Sequence, residues 1–133
     1  MPNALENLCE AIAYPDPLPD GATSYRLLVD GGEVVARLLG NRLVLSRELS
    51  RLEEHLPKLA SYAAGRLLKE ETVLAWDEQA GACIIWQDCA VGASSVQLLR
   101  FFKNFLASCD WWLARVTEFT EEHVSPPAMV ILP

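Results

Sequence analysis

Residues 72–87 read TVLAWDEQAGACIIWQ, two short apolar runs separated by the turn-forming stretch DEQAG. Runs of this length around a glycine-containing break predict the two strands of a β-hairpin. Successive side chains of a strand point to opposite faces. The two runs are almost entirely apolar and include Leu74, Trp76, Cys83 and Ile85. Neither face of the hairpin therefore carries many polar side chains. A sheet that is apolar on both faces needs cover on both.

The chain upstream of this hairpin predicts a helix followed by three strands. Asn3 and Glu6 have the spacing of a capping box, and Leu5, Leu8 and Ile12 then recur at helical spacing. A proline-rich stretch ends the helix because proline cannot donate the backbone hydrogen bond that would continue it. Three β-prone runs follow, separated by glycine-containing turns, and they predict a meander with strands at residues 25–29, 33–39 and 42–45.

Two further helices flank the hairpin. Ser50 and Glu53 form a second possible capping box before the middle helix, in which Pro57 either occupies the first turn or kinks a longer helix. One serine of the pair at 94–95 caps the last helix, which we expect to end near Phe119. Its apolar residues recur at spacings of three and four, which is typical of a helix that packs on a core.

Strands in two groups, joined by tight turns, predict an α+β fold with a twisted antiparallel sheet of five strands and the element order α-β-β-β-α-β-β-α. We expect one domain over residues 1–133, with residues 119–133 as a tail of unassigned role. The first and last helices can cover one face of the sheet. The middle helix is then left over, and the second face is open.

Composition restricts the classes of function. The net charge of −7 and pI near 4.7 disfavour binding along a phosphate backbone, which requires clustered Lys and Arg. Uncharged stretches are shorter than the ~20 apolar residues that a membrane span requires, so we expect no membrane insertion. The N-terminal residues carry two glutamates and no basic residue, unlike a signal peptide. A cytoplasmic location is the resulting expectation.

Sequence motifs for catalysis or cofactor binding are missing. The four cysteines lie inside apolar patterns without metal-ligand spacing, so we interpret them as reduced and buried. No phosphate-binding loop, dinucleotide fingerprint, zinc-protease motif or nucleophile elbow occurs. We therefore expect no catalytic residues, no metal and no cofactor, and a protein that acts by binding.

The surplus of apolar surface calls for a partner, and a second copy of the chain is the simplest one. The middle helix and the hairpin supply the apolar residues for a two-fold interface. We predict a homodimer interface formed by Leu56, Leu59, Tyr62, Trp76, Cys83 and Ile85.

A family resemblance agrees with this interpretation. The run LPKLASYAAGRLLKEETVLAWDEQAGACIIWQDCA, together with element order, length and acidity, resembles the class I type III secretion chaperones of the Tir-chaperone family. The likeness spans about residues 3–119 and consists of spacing and hydrophobicity rather than a signature motif. The segment Ala63-Ala64-Gly65-Arg66 and the apolar C-terminal tail depart from it.

The resemblance implies a cytoplasmic homodimer that holds the N-terminal chaperone-binding segment of a secreted effector extended and competent for export, without ATP. An extended segment can add a strand to a sheet edge while its apolar side chains enter grooves. The first helix and the meander are our candidates for effector binding, through Leu5, Leu8, Ile12, Leu28, Val35, Leu39 and Val44.

Two other functions remain open on the sequence. One is a chaperone-like regulatory or adaptor module that binds a folded partner. The other is a small ligand-binding or catalytic α+β domain with a pocket between helix and sheet. The state of the bound partner, or a ligand that copurifies, would separate these from the effector chaperone.

Overall fold

The computed structural model describes residues 3–66 and 72–130, with side chains described for residues 3–64 and 72–119. The elements follow the expected order. They are helix α1 (Ala4–Ala11), strands β1 (Ser24–Val29), β2 (Gly32–Leu39) and β3 (Arg42–Ser50), helix α2 (Leu56–Arg66), strands β4 (Val73–Asp77) and β5 (Ala82–Ala90), and helix α3 (Ser95–Val130). A single 3-10 turn, Glu53–His55, precedes α2.

All five strands form one antiparallel sheet in the order β1-β2-β3-β5-β4. The order places the β4–β5 hairpin beside the meander, with β3 and β5 as neighbours. Register can be followed across the sheet, since Val35 lies opposite Ser46, Ser46 opposite Trp86, and Trp86 opposite Val73. The predicted α+β fold with a five-stranded antiparallel sheet is confirmed.

One face of the sheet, here called the inner face, is covered by helices. Its side chains alternate along the strands with those of the other face, and seven of them are essentially inaccessible to solvent: Leu27, Val34, Ala36, Leu43, Leu45, Cys83 and Ile85. Helices α1 and α3 pack on this face and on each other. They contribute buried side chains such as Leu5, Leu8, Phe102 and Phe105, so the core lies between the helices and the inner face.

The opposite face, here called the outer face, has no helix packed on it in the described part of the chain. Its side chains include Leu28, Val35, Arg37, Leu39, Val44, Ser46, Val73, Ile84 and Trp86. The prediction that both faces of the hairpin are apolar holds in the structure. Leu74, Trp76, Cys83 and Ile85 all lie together on the inner face, and their neighbours in sequence lie on the outer one.

Helix α2 lies against β4 and beside the C-terminal part of α3. Leu59 is completely buried in the core, and Tyr62 contacts Trp111 and Phe119 with ring centroids 5.8 and 5.9 Å apart. The expectation that the middle helix is left over is therefore wrong. The aromatic residues Trp111 and Phe119 of α3 provide the surface of the same chain on which α2 packs.

Two helix caps agree with the sequence and one does not. Asn3 accepts the backbone N–H of Glu6 at 2.9 Å, and Ser94 and Gln97 each accept the backbone N–H of the other. Ser50 caps no helix: its hydroxyl accepts the N–H of Leu52 and lies 2.8 Å from His55 Nδ1. Ser50 is the last residue of β3, three residues before the 3-10 turn, which explains the wrong capping assignment.

Helix α3 is longer than the sequence indicated. It continues past Phe119 to Val130. Residues 120–124 contain no glycine or proline, so nothing in that stretch stops a helix. The expected boundary near Phe119 is wrong for this reason, and residues 131–133 of the expected tail lie outside the described residues.

Candidate functional site

The outer face forms a broad open groove. The groove has a volume of about 680 Å³ and, because strands alternate their side chains, it is lined mainly by every second residue of β1, β2, β3 and β5. The β4–β5 turn closes one side. The lining residues, here called the outer groove, are Ser24, Arg26, Glu33, Val35, Arg37, Ser46, Arg47, Glu48, Arg51, Asp77, Ala80 and Ile84.

Apolar side chains form the floor of this face and stand at its ends. Val35 and Ile84 lie in the groove, and Leu28 and Leu39, at opposite ends of the β1–β2–β3 region, are 70% and 55% exposed. Single exposed apolar residues are ordinary, but several on one uncovered sheet face indicate a binding surface. The structure thus gives the outer face apolar side chains that no described helix covers.

Four of the residues predicted for effector binding share this face. Leu28, Val35, Leu39 and Val44 come from three adjacent strands and are brought together by the register of the meander. Leu5 and Leu8, in contrast, are completely buried in the core under α1, and Ile12 packs against the same core. Helical periodicity identifies a buried stripe in α1 but does not distinguish a core from a groove.

The residues predicted for a homodimer interface divide in a similar way. Leu59, Cys83 and Ile85 have no solvent-exposed surface in the single chain, because they form its own core. Leu56 and Trp76 are half-buried against that core, and Tyr62 is 37% exposed. Only the last three could reach a second copy without a change in the protomer.

An aromatic cluster joins α2 to α3. Trp111 packs edge-on against both Tyr62 and Trp112 and lies under the Arg115 guanidinium, 4.9 Å from the ring centroid. A smaller depression of about 420 Å³ lies beside Phe119. Trp111 is thus packed against α2.

Ion pairs occupy most of the charges around the outer groove. Arg26 pairs with Glu33 at 3.2 Å, and Arg51 pairs with Glu48 at 2.9 Å. All four side chains are substantially exposed, so these pairs are worth well under about 1 kcal/mol each. Their effect is to cancel charge within the groove.

A third pair, between Arg42 and Asp88 at 3.0 Å, lies at the margin of the outer face. The Asp88 carboxylate accepts a hydrogen bond from the Arg42 guanidinium and raises the pKa of that group further. Arg37, on β2 between these pairs, forms no ion pair or hydrogen bond with any described side chain.

The two edges of the sheet differ. At the β1 edge, the Tyr14 hydroxyl accepts the backbone N–H of Leu28 at 3.1 Å, and the Tyr14 ring packs edge-on against Tyr25. At the other edge, β4 has no further strand beside it among the described residues. An extended segment could therefore add to β4, whereas part of the β1 edge is already engaged.

His55 and the four cysteines are candidate side chains for nucleophilic or acid–base chemistry. His55 is buried, hydrogen-bonded to Ser50 and packed on the Phe119 ring at 5.6 Å between centroids. All four cysteines are free, and burial raises their pKa values, that of Cys109 to about 12, which keeps the thiols protonated and unreactive.

No three His, Cys, Asp or Glu side chains among the described residues come together as a metal site. None of the helices in the described ranges is long and apolar enough to span a membrane.

Sequence analysis missed Arg37, Ile84 and Trp86 as members of the outer face. The signal for the last two was present, because Ile84 and Trp86 are apolar and alternate along β5 with Cys83 and Ile85. Arg37 could have been found from the alternation Val35, Arg37, Leu39, a cation between two apolar residues on one face.

No protein-family model and no curated protein sequence matches the chain. Solved structures do. One chain of the HopA1–SchA chaperone–effector complex matches with a TM-score of 0.67 and 18% identity, covering 84% of this chain and 91% of that one. One chain of the ExsC–ExsE complex matches with a TM-score of 0.64 and 19% identity, covering 84% and 89%.

One chain of the heterodimeric ExoU–SpcU complex, from the type III secretion system of Pseudomonas aeruginosa, matches with a TM-score of 0.58 and 18% identity, covering 81% of this chain and 93% of that one. YbjN of E. coli, described as a putative transcription regulator, matches with a TM-score of 0.54 and 14% identity, covering 90% of each chain. Identities this low carry the fold and not the function. The chain therefore has the fold of the type III secretion chaperones, as the resemblance of its sequence predicts.

Proposed function

We propose that the protein is a cytoplasmic, non-enzymatic type III secretion chaperone that binds the N-terminal segment of a secreted effector and keeps it extended. The observation that carries the proposal is the uncovered outer face, with Leu28 and Leu39 more than half exposed at its two ends. The fold shared with chains of chaperone–effector complexes supports it.

An extended segment suits this face better than a folded domain. The outer groove is about 680 Å³ and open, so side chains of a segment can enter it while its backbone stays solvated. Ordering such a segment costs roughly 2–5 kcal/mol, which a short contact cannot offset. A segment that runs the length of the outer face, from Leu28 to Leu39, gains the long apolar contact that is needed.

We further propose a homodimer in which α2 and the β4 edge meet a second copy. Tyr62 and Val73, 37% and 43% exposed, are the large apolar side chains that the described parts of these elements leave exposed in one chain. Leu56 and Trp76 lie partly buried in the same two elements. Sedimentation at micromolar concentration tests this part of the proposal, since a monomer at that concentration would contradict it.

The main test is coexpression of the full chain with secreted proteins encoded beside its gene. We expect one of them to copurify through its N-terminal segment, which should show rapid amide hydrogen exchange away from strand-paired positions. Leu28→Asp and Leu39→Asp should abolish copurification without unfolding the chain, because both side chains already contact water. Leu52→Asp is the matched control, since Leu52 is 50% exposed but lies outside the outer face.

A regulatory or adaptor module is the second candidate, because the fold also matches that of YbjN. The same coexpression separates the two. A partner that binds through a folded domain, with protected amides throughout the contact, would favour the adaptor, whereas a partner that is protected only along an extended segment would favour the chaperone.

A further inference from the structure

Arg37 occupies the middle of the outer face. It lies opposite Ser24 on β1 and Val44 on β3, and along its own strand it is flanked on the same face by Val35 and Leu39. Its side chain is exposed and lines the outer groove. Any segment bound along β2 must pass directly over the guanidinium.

The carboxylates of the groove are already engaged. Glu33 and Glu48 pair with Arg26 and Arg51, and Asp77 accepts the backbone N–H groups of two residues in the β4–β5 turn. Arg37 has no such partner among the side chains that the structure describes. A segment that enters the groove therefore meets a positive charge that forms no ion pair with any described carboxylate.

Arg47 also lines the groove, but it does not neutralise the charge of Arg37. It shares the inner side of the sheet with Ile85, and its guanidinium occupies the space where a side chain at Gly32 would start. Its charge has the same sign as that of Arg37. That guanidinium lies on the opposite side of the sheet from Arg37, so Arg37 remains the cation of the outer face that has no ion pair among the described side chains.

We propose that Arg37 determines specificity by binding a carboxylate of the partner segment, so that the segment presents an Asp or Glu between apolar side chains. Val35, Arg37 and Leu39 recur every second residue on one face, at about 7 Å per two residues. An extended segment laid along β2 presents its own alternate side chains at the same spacing. The matching pattern is apolar, any residue, acidic, any residue, apolar; this inference rests on the function proposed above.

The test uses the full chain and a library of random 16-residue peptides displayed on phage. Selection is made on the wild type, on Arg37→Glu and on Arg100→Glu, a control with the same change in charge on the exposed side of α3. We expect the wild type and the control to enrich peptides with an acidic residue two positions from apolar ones. Arg37→Glu should enrich Lys or Arg at that position instead.

Affinities of one selected peptide and its acidic-to-Lys variant then measure the effect by fluorescence anisotropy. We expect the Lys peptide to bind the wild type about tenfold more weakly, and the order to reverse on Arg37→Glu. Apolar peptides enriched without a charge preference, or identically on Arg37→Glu, would overturn the role of Arg37 and leave the groove function standing. Failure of the wild type to enrich any apolar peptide would contradict both.

Sedimentation of the protein without peptide tests whether a second copy of the chain, rather than a peptide, lies against Arg37. If Arg37 faced a second copy rather than a peptide, Arg37→Glu would shift the oligomeric state relative to Arg100→Glu, and the inference would be wrong. We expect the wild type and both variants to sediment as the same species.

Discussion

Ile84 and Ile85 are neighbours on β5 and lie on opposite faces of the sheet. Ile85 has no solvent-exposed surface, because α1 and α3 cover the inner face, whereas Ile84 lines the outer groove and stays partly exposed. The same residue type thus closes the core on one side and lines the proposed binding surface on the other. The fold is held by the inner face, and the outer face is left available for a partner.

The test with the largest expected effect replaces each isoleucine by serine. Serine is chosen because it places no new charge opposite Glu48. Ile85→Ser should destabilise the chain by about 4 kcal/mol, because it leaves a cavity and a buried hydroxyl. Ile84→Ser should cost only about 1 kcal/mol, since water already reaches that site. Urea denaturation followed by circular dichroism measures both.

Equal losses in the free energy of unfolding for Ile85→Ser and Ile84→Ser would contradict the difference between the two faces. They would mean that the outer face is covered in solution as completely as the inner one, by a second copy or by another part of the assembly. Concentration dependence of the Ile84→Ser loss would then identify a second copy as the cover.

The sequence predicted the sheet well because strand alternation is a local property. The spacing of glycines in the meander and the double-sided apolarity of residues 72–87 are sufficient to give the five strands and the two groups in which they occur. Val35, Leu39 and Val44 were assigned to a binding surface, and the register places them on the open face.

Helix packing was predicted less well because it depends on residues far apart in sequence. The apolar face of α2 could have met a second copy or the same chain, and Leu59 alone does not tell which. Tyr62 contacts Trp111 and Phe119, about fifty residues away in sequence, and these contacts pack α2 against its own protomer. Such a pairing leaves no pattern in the local sequence. The sequence therefore predicted a homodimer interface at Leu59, Cys83 and Ile85, which are core residues of the single chain.

The second test uses the Cys109 thiol to measure how well water is excluded from the core on the inner face. Burial raises the pKa of Cys109 to about 12, from an ordinary value of 9.0. Between these values the unfolded chain releases the proton and the native chain keeps it, so the free energy of unfolding falls as pH rises. This group should contribute up to roughly 1.4 kcal/mol per pH unit in that window and nothing below pH 9.

Unfolding measured at several pH values under reducing conditions gives the slope. Cys109→Ala should flatten it, and Cys89→Ala, at a half-buried site on β5, should flatten it less. The opposite ranking would mean that water enters the core beside α3, and the contrast between a dry inner face and an open outer face would be weaker than the structure indicates.

The smallest test concerns the end of α1, which covers the inner face near β1. Ala13 adopts a left-handed φ of +54°, and the N–H groups of Ala13 and Tyr14 donate to the carbonyls of Glu10 and Cys9, the pattern of a helix terminus that favours glycine. A β-carbon in this conformation costs about 1 kcal/mol. Ala13→Gly should therefore raise the free energy of unfolding, by somewhat less than that cost because glycine also gains freedom in the unfolded chain.

Ala11→Gly is the matched control, since Ala11 is the last residue of α1. It should lower stability by about 0.5 kcal/mol, because glycine weakens a helix where φ is already negative. Neither change touches the outer face, so peptides selected on the wild type should bind both variants with unchanged affinity. A stabilised Ala13→Gly chain that bound them differently would show that α1 and the outer groove are coupled through the sheet, and that the two faces do not act independently.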